Sequence, residues 1–132
     1  MRYLLDVNVL VALGHNAHQL HARVAKWVAE LEPNAIPQFS TSSITELGFI
    51  RIMAQVYGVD IQQAQSLLAT LKDSDDYHYL FIADNHDASK LPSWVISAKQ
   101  TTDGHLAELA VSNKCILATL DEGIPGSFVI PK

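Results

Sequence analysis

Short apolar runs alternating with helical periodicities predict an α/β fold, one domain with a central, mostly parallel β-sheet flanked by α-helices. Three observations carry that expectation. The 132 residues match one ordinary domain, and 48% apolar with 17% charged residues gives a sizeable core and excludes wholesale disorder. Strand-like and helix-like segments follow one another without repeat, linker or low-complexity tract, so a single domain over residues 1–132 is expected. Two of the buried-strand candidates lead into a carboxylate, and ligands of open parallel sheets collect at the carboxyl ends of the strands.

The elements follow in order. Tyr3-Leu4-Leu5 reads as a first buried strand ending on Asp6. Val7 to Gly14 is too short and too interrupted for a membrane span, and no small-residue cleavage site follows it, so a soluble cytosolic domain is expected. From His18 to Leu31, apolar residues at Leu20, Val24, Trp27, Val28 and Leu31 form a helical stripe stopped by Pro33. Ile36 to Thr41 suits a short strand, after which Ser42 or Ser43 offers an N-cap. Ile44 to Tyr57 continues as a helix with Ile44, Leu47, Ile50 and Ala54 on one side, until Gly58 ends it. Asp60 and Gln63 make a capping-box pattern opening a helix with Ile61, Ala64, Leu67, Leu68 and Leu71 on its apolar face. Tyr79 to Ala83 reads as a strand, and Trp94-Val95-Ile96 as a short strand or a helical turn. Thr101-Thr102-Asp103 starts a helix carrying Leu106, Leu109 and Ala110 and closing near Asn113. Cys115 to Thr119 is the clearest buried strand and leads to Asp121; Ser127 to Ile130 is a last short one.

Charge and side-chain chemistry narrow the function classes. Nine Lys plus Arg against fourteen Asp plus Glu give a formal charge of -5, which argues against a broad basic surface for nucleic acid but not against a compact nucleic-acid active site. The single cysteine, Cys115, excludes an internal disulfide and reads as a small buried hydrophobe. His15, His18 and His21 are spaced by three. On a helix, positions six apart lie about 240° around the axis, so the three cannot share a face to hold zinc, and His18 and His21 instead flank a helix start. Trp27 reads as a core or dimer-contact residue rather than a base-stacking platform. The acids Asp73, Asp75, Asp76, Asp84 and Asp87, with no Lys or Arg among them, read as a solvated edge.

Asp6, Asp103, Asp121 and Glu46 are the candidates for chemistry. Asp6 follows the first strand, Asp121 follows the last long one, Asp103 opens the helix feeding that strand, and Glu46 lies one turn into its own helix. Carboxylates brought close together raise one another's pKa unless a cation neutralises them, and hard oxygen donors around an open cavity suit Mg²⁺ or Mn²⁺. Each acid also has a purely structural role open to it. Asp6 suits a strand–loop junction, Asp103 an N-cap, Asp121 a turn, and Glu46 a solvated first helical turn. They are dispersed over most of the chain, so spacing alone leads only to an α/β domain with a candidate acidic metal site.

Read together, four segments resemble the PIN-domain family of metal-dependent ribonucleases, especially its VapC-type toxin branch. They are Leu4-Leu5-Asp6-Val7-Asn8-Val9-Leu10-Val11-Ala12-Leu13, Ser43-Ile44-Thr45-Glu46-Leu47-Gly48-Phe49-Ile50-Arg51, Thr101-Thr102-Asp103-Gly104-His105-Leu106-Ala107-Glu108-Leu109-Ala110 and Leu117-Ala118-Thr119-Leu120-Asp121. The resemblance covers essentially the whole chain. It implies that Asp6, Glu46, Asp103 and Asp121 bind one or two divalent ions (Mg²⁺ or Mn²⁺), with Asn8 and Thr119 supporting the ligand carboxylates through hydrogen bonds. It further implies an endoribonuclease toxin that is a homodimer, and a small antitoxin whose C-terminal segment covers the site and contributes the DNA binding this chain lacks. Arg51 is the candidate RNA contact, with Lys99 a second basic helper. Setting the four acids aside takes the formal charge from -5 to -1, so the expected phosphate attraction comes from metal rather than from basic side chains. Two departures concern substrate-loop shape: Gly104 stands where alanine is commoner, and Glu122-Gly123-Ile124-Pro125-Gly126 lacks the usual aromatic. The rival readings are a PIN-like interaction module that binds metal weakly or not at all, and a phosphate-transfer receiver domain. The latter expects an acid pair after the first strand and a lysine after the last, and neither occurs.

Overall fold

The computed structural model describes residues 1–31, 37–74 and 77–132. Among these residues five strands form one sheet: β1 (Tyr3–Leu5), β2 (Pro37–Ser42), β3 (His78–Ile82), β4 (Ile116–Thr119) and β5 (Phe128–Val129). Their order is β3-β2-β1-β4-β5 and every pair is parallel, so the α/β expectation holds with a wholly parallel sheet. Parallel neighbours need crossovers, and helices supply all but the last, where turns join β4 to β5: α1 (Val7–Gly14), α2 (His21–Glu30), α3 (Ser43–Gln55), α4 (Ile61–Lys72) and α5 (Thr101–Ser112). The chain starts in the middle of the sheet, steps outward through β2 to β3, then returns to the other side of β1 for β4 and β5. That reversal opens a crevice at the carboxyl ends of β1 and β4.

Local chemistry sets most boundaries. Helix α1 escapes the periodicity reading because Val9, Leu10, Val11 and Ala12 are all buried, so its apolar residues cover the whole circumference. Its start is fixed by Asp6, whose Oδ1 accepts a hydrogen bond from Val7 N at 2.8 Å. Ser42 caps α3 reciprocally with Thr45, and α4 begins where Asp60 Oδ1 accepts from Gln62 N at 2.7 Å. Gly58, at φ 66°, takes the left-handed conformation just past α3. Helix α2 starts at His21, later than its apolar stripe; the expected stop at Pro33 and strand start at Ile36 lie outside the described residues. Trp94 to Ile96 forms no strand; Trp94 lies in a turn closed by the bond from Val95 N to Pro92 O. Helix α5 has Gln100 at its N-cap, so Asp103 lies within the first turn and does not cap it.

Leu4 and Leu5 point to opposite faces of β1 and seed two cores. One gathers Leu5, Val9, Val24, Trp27, Phe39 and Phe49 under α1 to α4; the other gathers Leu4, Leu106, Leu109 and Leu117 under α5. Trp27 is 6% exposed and meets Tyr3 edge-on at 5.0 Å, which makes it a core residue. Cys115 is buried as expected. The three histidines are engaged separately: His15 stacks on Tyr57, His18 Nδ1 accepts from Leu20 N, and His21 Nδ1 meets Ala12 O. Among the described residues, no helix is long and apolar enough to cross a membrane.

Candidate metal centre

Asp6 is the foundation of the site. It follows β1, is 5% exposed, and both of its oxygens are engaged. Oδ1 takes the Val7 amide, and Oδ2 accepts from the Thr119 hydroxyl at 2.7 Å. That hydroxyl oxygen in turn accepts from Asp121 N at 3.1 Å, while Asn8 Oδ1 accepts from Leu120 N at 3.2 Å. Asn8 and Thr119 therefore tie the end of β4 to the start of α1 and hold the backbone of Asp121 against Asp6. The same strand pairing that registers Leu5 against Ala118 makes this possible.

Asp103 completes the group from the first turn of α5. One carboxylate oxygen from each of Asp6, Asp103 and Asp121 lies within 4.8 Å of the others, with Asp6 buried, Asp103 half-buried and Asp121 exposed. Burial pushes the Asp6 carboxyl up to about 6, the charges of Asp103 and Asp121 push the same way, and the bonds from Thr119 and Val7 oppose them. Asp103 is also raised, by burial and by the charge of Asp121. Gly104 beside it has a packing reason: a Cβ there would collide with the Val95 side chain and lie 3.2 Å from Pro92 Cδ. The glycine lets the turn at 92–95 close over the start of α5.

Glu46 is held differently. It lies one turn into α3, where Thr41 Oγ1 donates to Oε2 at 2.5 Å and Lys72 Nζ makes an ion pair with the same oxygen at 2.6 Å. It is not part of the three-carboxylate group. Lys72, in the last turn of α4, is a residue that sequence reasoning missed; nothing in its local pattern distinguishes it from a surface lysine that favours a helix C-terminus. His105, bonded to Asp84 across the chain, was also unforeseen. Arg51 is exposed, and five residues on from Glu46 it lies about 140° around the helix axis. Lys99 is exposed as well, and neither forms an ion pair with the three grouped acids. Asp73 and Asp87 form the expected solvated edge with half-buried Asp84, while Asp75 and Asp76 lie outside the described residues.

The donor set fits a hard divalent ion. Three carboxylates face one another, and among the described residues no Lys, Arg or His pairs with any of them. Oxygen donors in this arrangement suit Mg²⁺ or Mn²⁺, and a cation there would offset both the burial that raises Asp6 and the smaller push from its acidic neighbours.

A wholly parallel β3-β2-β1-β4-β5 sheet whose reversal point gathers dispersed carboxylates is the architecture that the PIN-domain resemblance implies. No protein-family model matches the chain. It is 33% identical over 128 residues to Ribonuclease VapC38 of Mycobacterium tuberculosis, spanning 92% of this chain and 86% of that protein. The chain belongs to the VapC ribonuclease family. Its fold is similar to that of VapC20 from Mycobacterium tuberculosis, a toxin cleaving the sarcin–ricin loop, with TM-score 0.68 at 12% identity over 98% of this chain and 99% of that one. It is also similar to VapBC2 from Rickettsia felis, solved on a DNA fragment from its promoter, with TM-score 0.61 at 15% identity over 98% and 97% of the two chains.

Proposed function

We propose that this chain is the toxin of a toxin–antitoxin pair, an endoribonuclease that hydrolyses RNA phosphodiester bonds with a divalent ion held by Asp6, Asp103 and Asp121. The observation that carries the reading is the gathering of those three carboxylates within 4.8 Å at the β1/β4 crevice, with no Lys, Arg or His of the described residues paired to them. An ion bound there supplies positive charge to the phosphate as negative charge develops on it. The chain's own residues do the rest. Asp6 is the rigid anchor, because Thr119 and the Val7 amide fix its orientation. Asp121 is the exposed member of the three, and on this reading it orients a water at the open side of the crevice. Membership of the VapC family supports a small antitoxin partner covering this crevice and carrying the DNA-binding function, a homodimeric toxin, and a cytoplasmic setting where RNA is the substrate.

The test is direct. Purified protein is incubated with RNA and Mn²⁺ or Mg²⁺, with and without chelator, beside Asp6→Asn and Asp103→Asn. Cleavage that needs metal and both acids supports the reading. A folded, metal-binding protein with no cleavage of any RNA would favour the interaction module instead.

A further inference from the structure

The two kinds of acid in this crevice are treated in opposite ways. Asp6, Asp103 and Asp121 face one another, and among the described residues no basic group pairs with them, whereas Glu46 carries a cation supplied by the chain itself. Lys72 Nζ lies 2.6 Å from Glu46 Oε2, and the Thr41 hydroxyl donates to that same oxygen at 2.5 Å.

This pair is built in from both sides. Thr41 is fully buried in β2, the strand beside the one that ends at Asp6. Gly48, two residues after Glu46, lets α3 rest on the start of α1, since a Cβ there would lie 2.5 Å from Val7 Cγ2. Glu46 is thereby seated at the same edge of the sheet as the carboxylate cluster. Lys72 arrives from α4, and its ammonium lies 5.7 Å from the centre of the Phe81 ring. The two side chains are only 29% and 21% exposed, so the pair is partly withdrawn from water. A charge-assisted bond of this kind outlasts an exposed surface pair.

We infer that Lys72 is a resident cation standing where a second divalent ion would otherwise be held, so that the site takes one ion and Glu46 acts through the lysine rather than as a metal ligand. The inference rests on the metal-dependent reading of Asp6, Asp103 and Asp121. An ammonium is a compact point charge that makes no demand on coordination number, so it neutralises Glu46 without recruiting the other three acids. A divalent ion approaching Glu46 must displace it, against the repulsion of the lysine and of an ion already at the cluster. Removing the lysine leaves Glu46 as an uncompensated, partly buried carboxylate, which is then free to take a second ion.

Counting bound Mn²⁺ without RNA, by titration calorimetry and by the paramagnetic signal of the free ion, tests this on the full chain. Wild type is expected to bind one Mn²⁺ per chain. Lys72→Met and Lys72→Gln are expected to bind a second, weaker one, lost again when Glu46→Gln is added. Lys72→Arg keeps the positive charge and should stay at one. Glu46→Gln alone should leave the affinity of the first ion within threefold of wild type. Circular dichroism establishes that each variant is folded before ions are counted. Two ions in the wild type, one ion in both neutral Lys72 variants, or loss of the first ion in Glu46→Gln would each overturn the lysine assignment while leaving a metal centre in place. No ion bound by the wild type would overturn the metal-dependent reading and the assignment together.

Discussion

Replacing Asp6 by asparagine should make the metal-free protein more stable, although it removes a residue on which the proposed chemistry depends. The carboxyl is raised from 3.8 to about 6, burial being the largest cause and its acidic neighbours adding to it. Each tenfold change in protonation is worth about 1.4 kcal/mol, so holding Asp6 ionised at neutral pH costs about 3 kcal/mol relative to its neutral form. Asparagine is neutral, and its oxygen still accepts from the Val7 amide. Its amide nitrogen, however, faces a Thr119 oxygen that already accepts from Asp121 N, and the Thr119 hydroxyl proton loses its acceptor, a loss of about 1 kcal/mol. The net gain is about 2 kcal/mol, or a Tm rise of about 5–8 °C for a chain of this size. The pH dependence has a definite sign. A carboxyl raised on folding stabilises the protein most below its unfolded pKa, and that contribution is lost as pH rises through about 6. The advantage of Asp6→Asn should therefore fall to less than half on going from pH 7.5 to pH 5, because the wild type recovers as Asp6 takes up its proton. Calorimetric scans in chelator at the two pH values measure this. At a thousand times Kd, Mn²⁺ adds about 4 kcal/mol to the wild type by mass action and little to the variant, so the order of melting points inverts. A less stable Asp6→Asn in chelator at pH 7.5, or an advantage independent of pH, would refute the electrostatic account.

Asp6→Asn, Asp103→Asn, Asp121→Asn and Glu46→Gln should each lower RNA cleavage at least tenfold in a folded protein, the first three through the ion and the last through the charge it shares with Lys72; full activity in any two sinks the site. Gly104→Ala sets helix propensity against packing: alanine favours a helix interior by about 1 kcal/mol, but the collision with Val95 and Pro92 forces a shift costing about 1–3 kcal/mol. Urea denaturation should therefore show a net loss of stability, and an unchanged or raised midpoint would mean that the 92–95 turn yields freely. Burial alone would raise the Asp84 carboxyl, but the His105 bond, the His86 amide and the nearby histidine charges together hold it below its usual range. Its contribution is present above the ordinary carboxylate pKa and lost as pH falls through the lower folded value. Asp84→Asn should thus destabilise the protein at pH 6 and converge with wild type near pH 2; an equal gap at both would place the effect in packing.

The parts of this molecule that were legible in its sequence are those where one segment carries its own signal. The serine cap at Ser42, the Asp60 cap and Gly58 mark their boundaries within a few residues of where they act. Helix α1 was not legible because burial on every side erases the amphipathic period that reveals helices. Asp103 looked like a cap since Thr101-Thr102-Asp103 has the composition of one, yet the helix begins two residues earlier, where the single turn at Ala98–Gln100 leads directly into it. The grouping of Asp6, Asp103 and Asp121 follows from the order of the strands, and so could be anticipated once two strands were seen to lead into acids. The Glu46–Lys72 pair is another matter. It joins residues 26 apart on two helices packed side by side, and no spacing rule connects them.

Charge explains how an acidic chain can be suited to RNA. With one divalent ion bound, the formal charge moves only from -5 to -3, so the surface as a whole still repels a phosphate backbone. Lys72 adds no basic patch, because it is paired with Glu46, and Arg51 and Lys99 form no ion pair with the grouped acids. On the proposed reading, attraction centres on one point, the ion held among Asp6, Asp103 and Asp121. An RNA strand passing over Asp73 or Asp87 meets repulsion. On the proposed reading, the acids outside the centre therefore work with those inside it: they discourage adsorption elsewhere and leave the crevice as the place where a phosphate can approach.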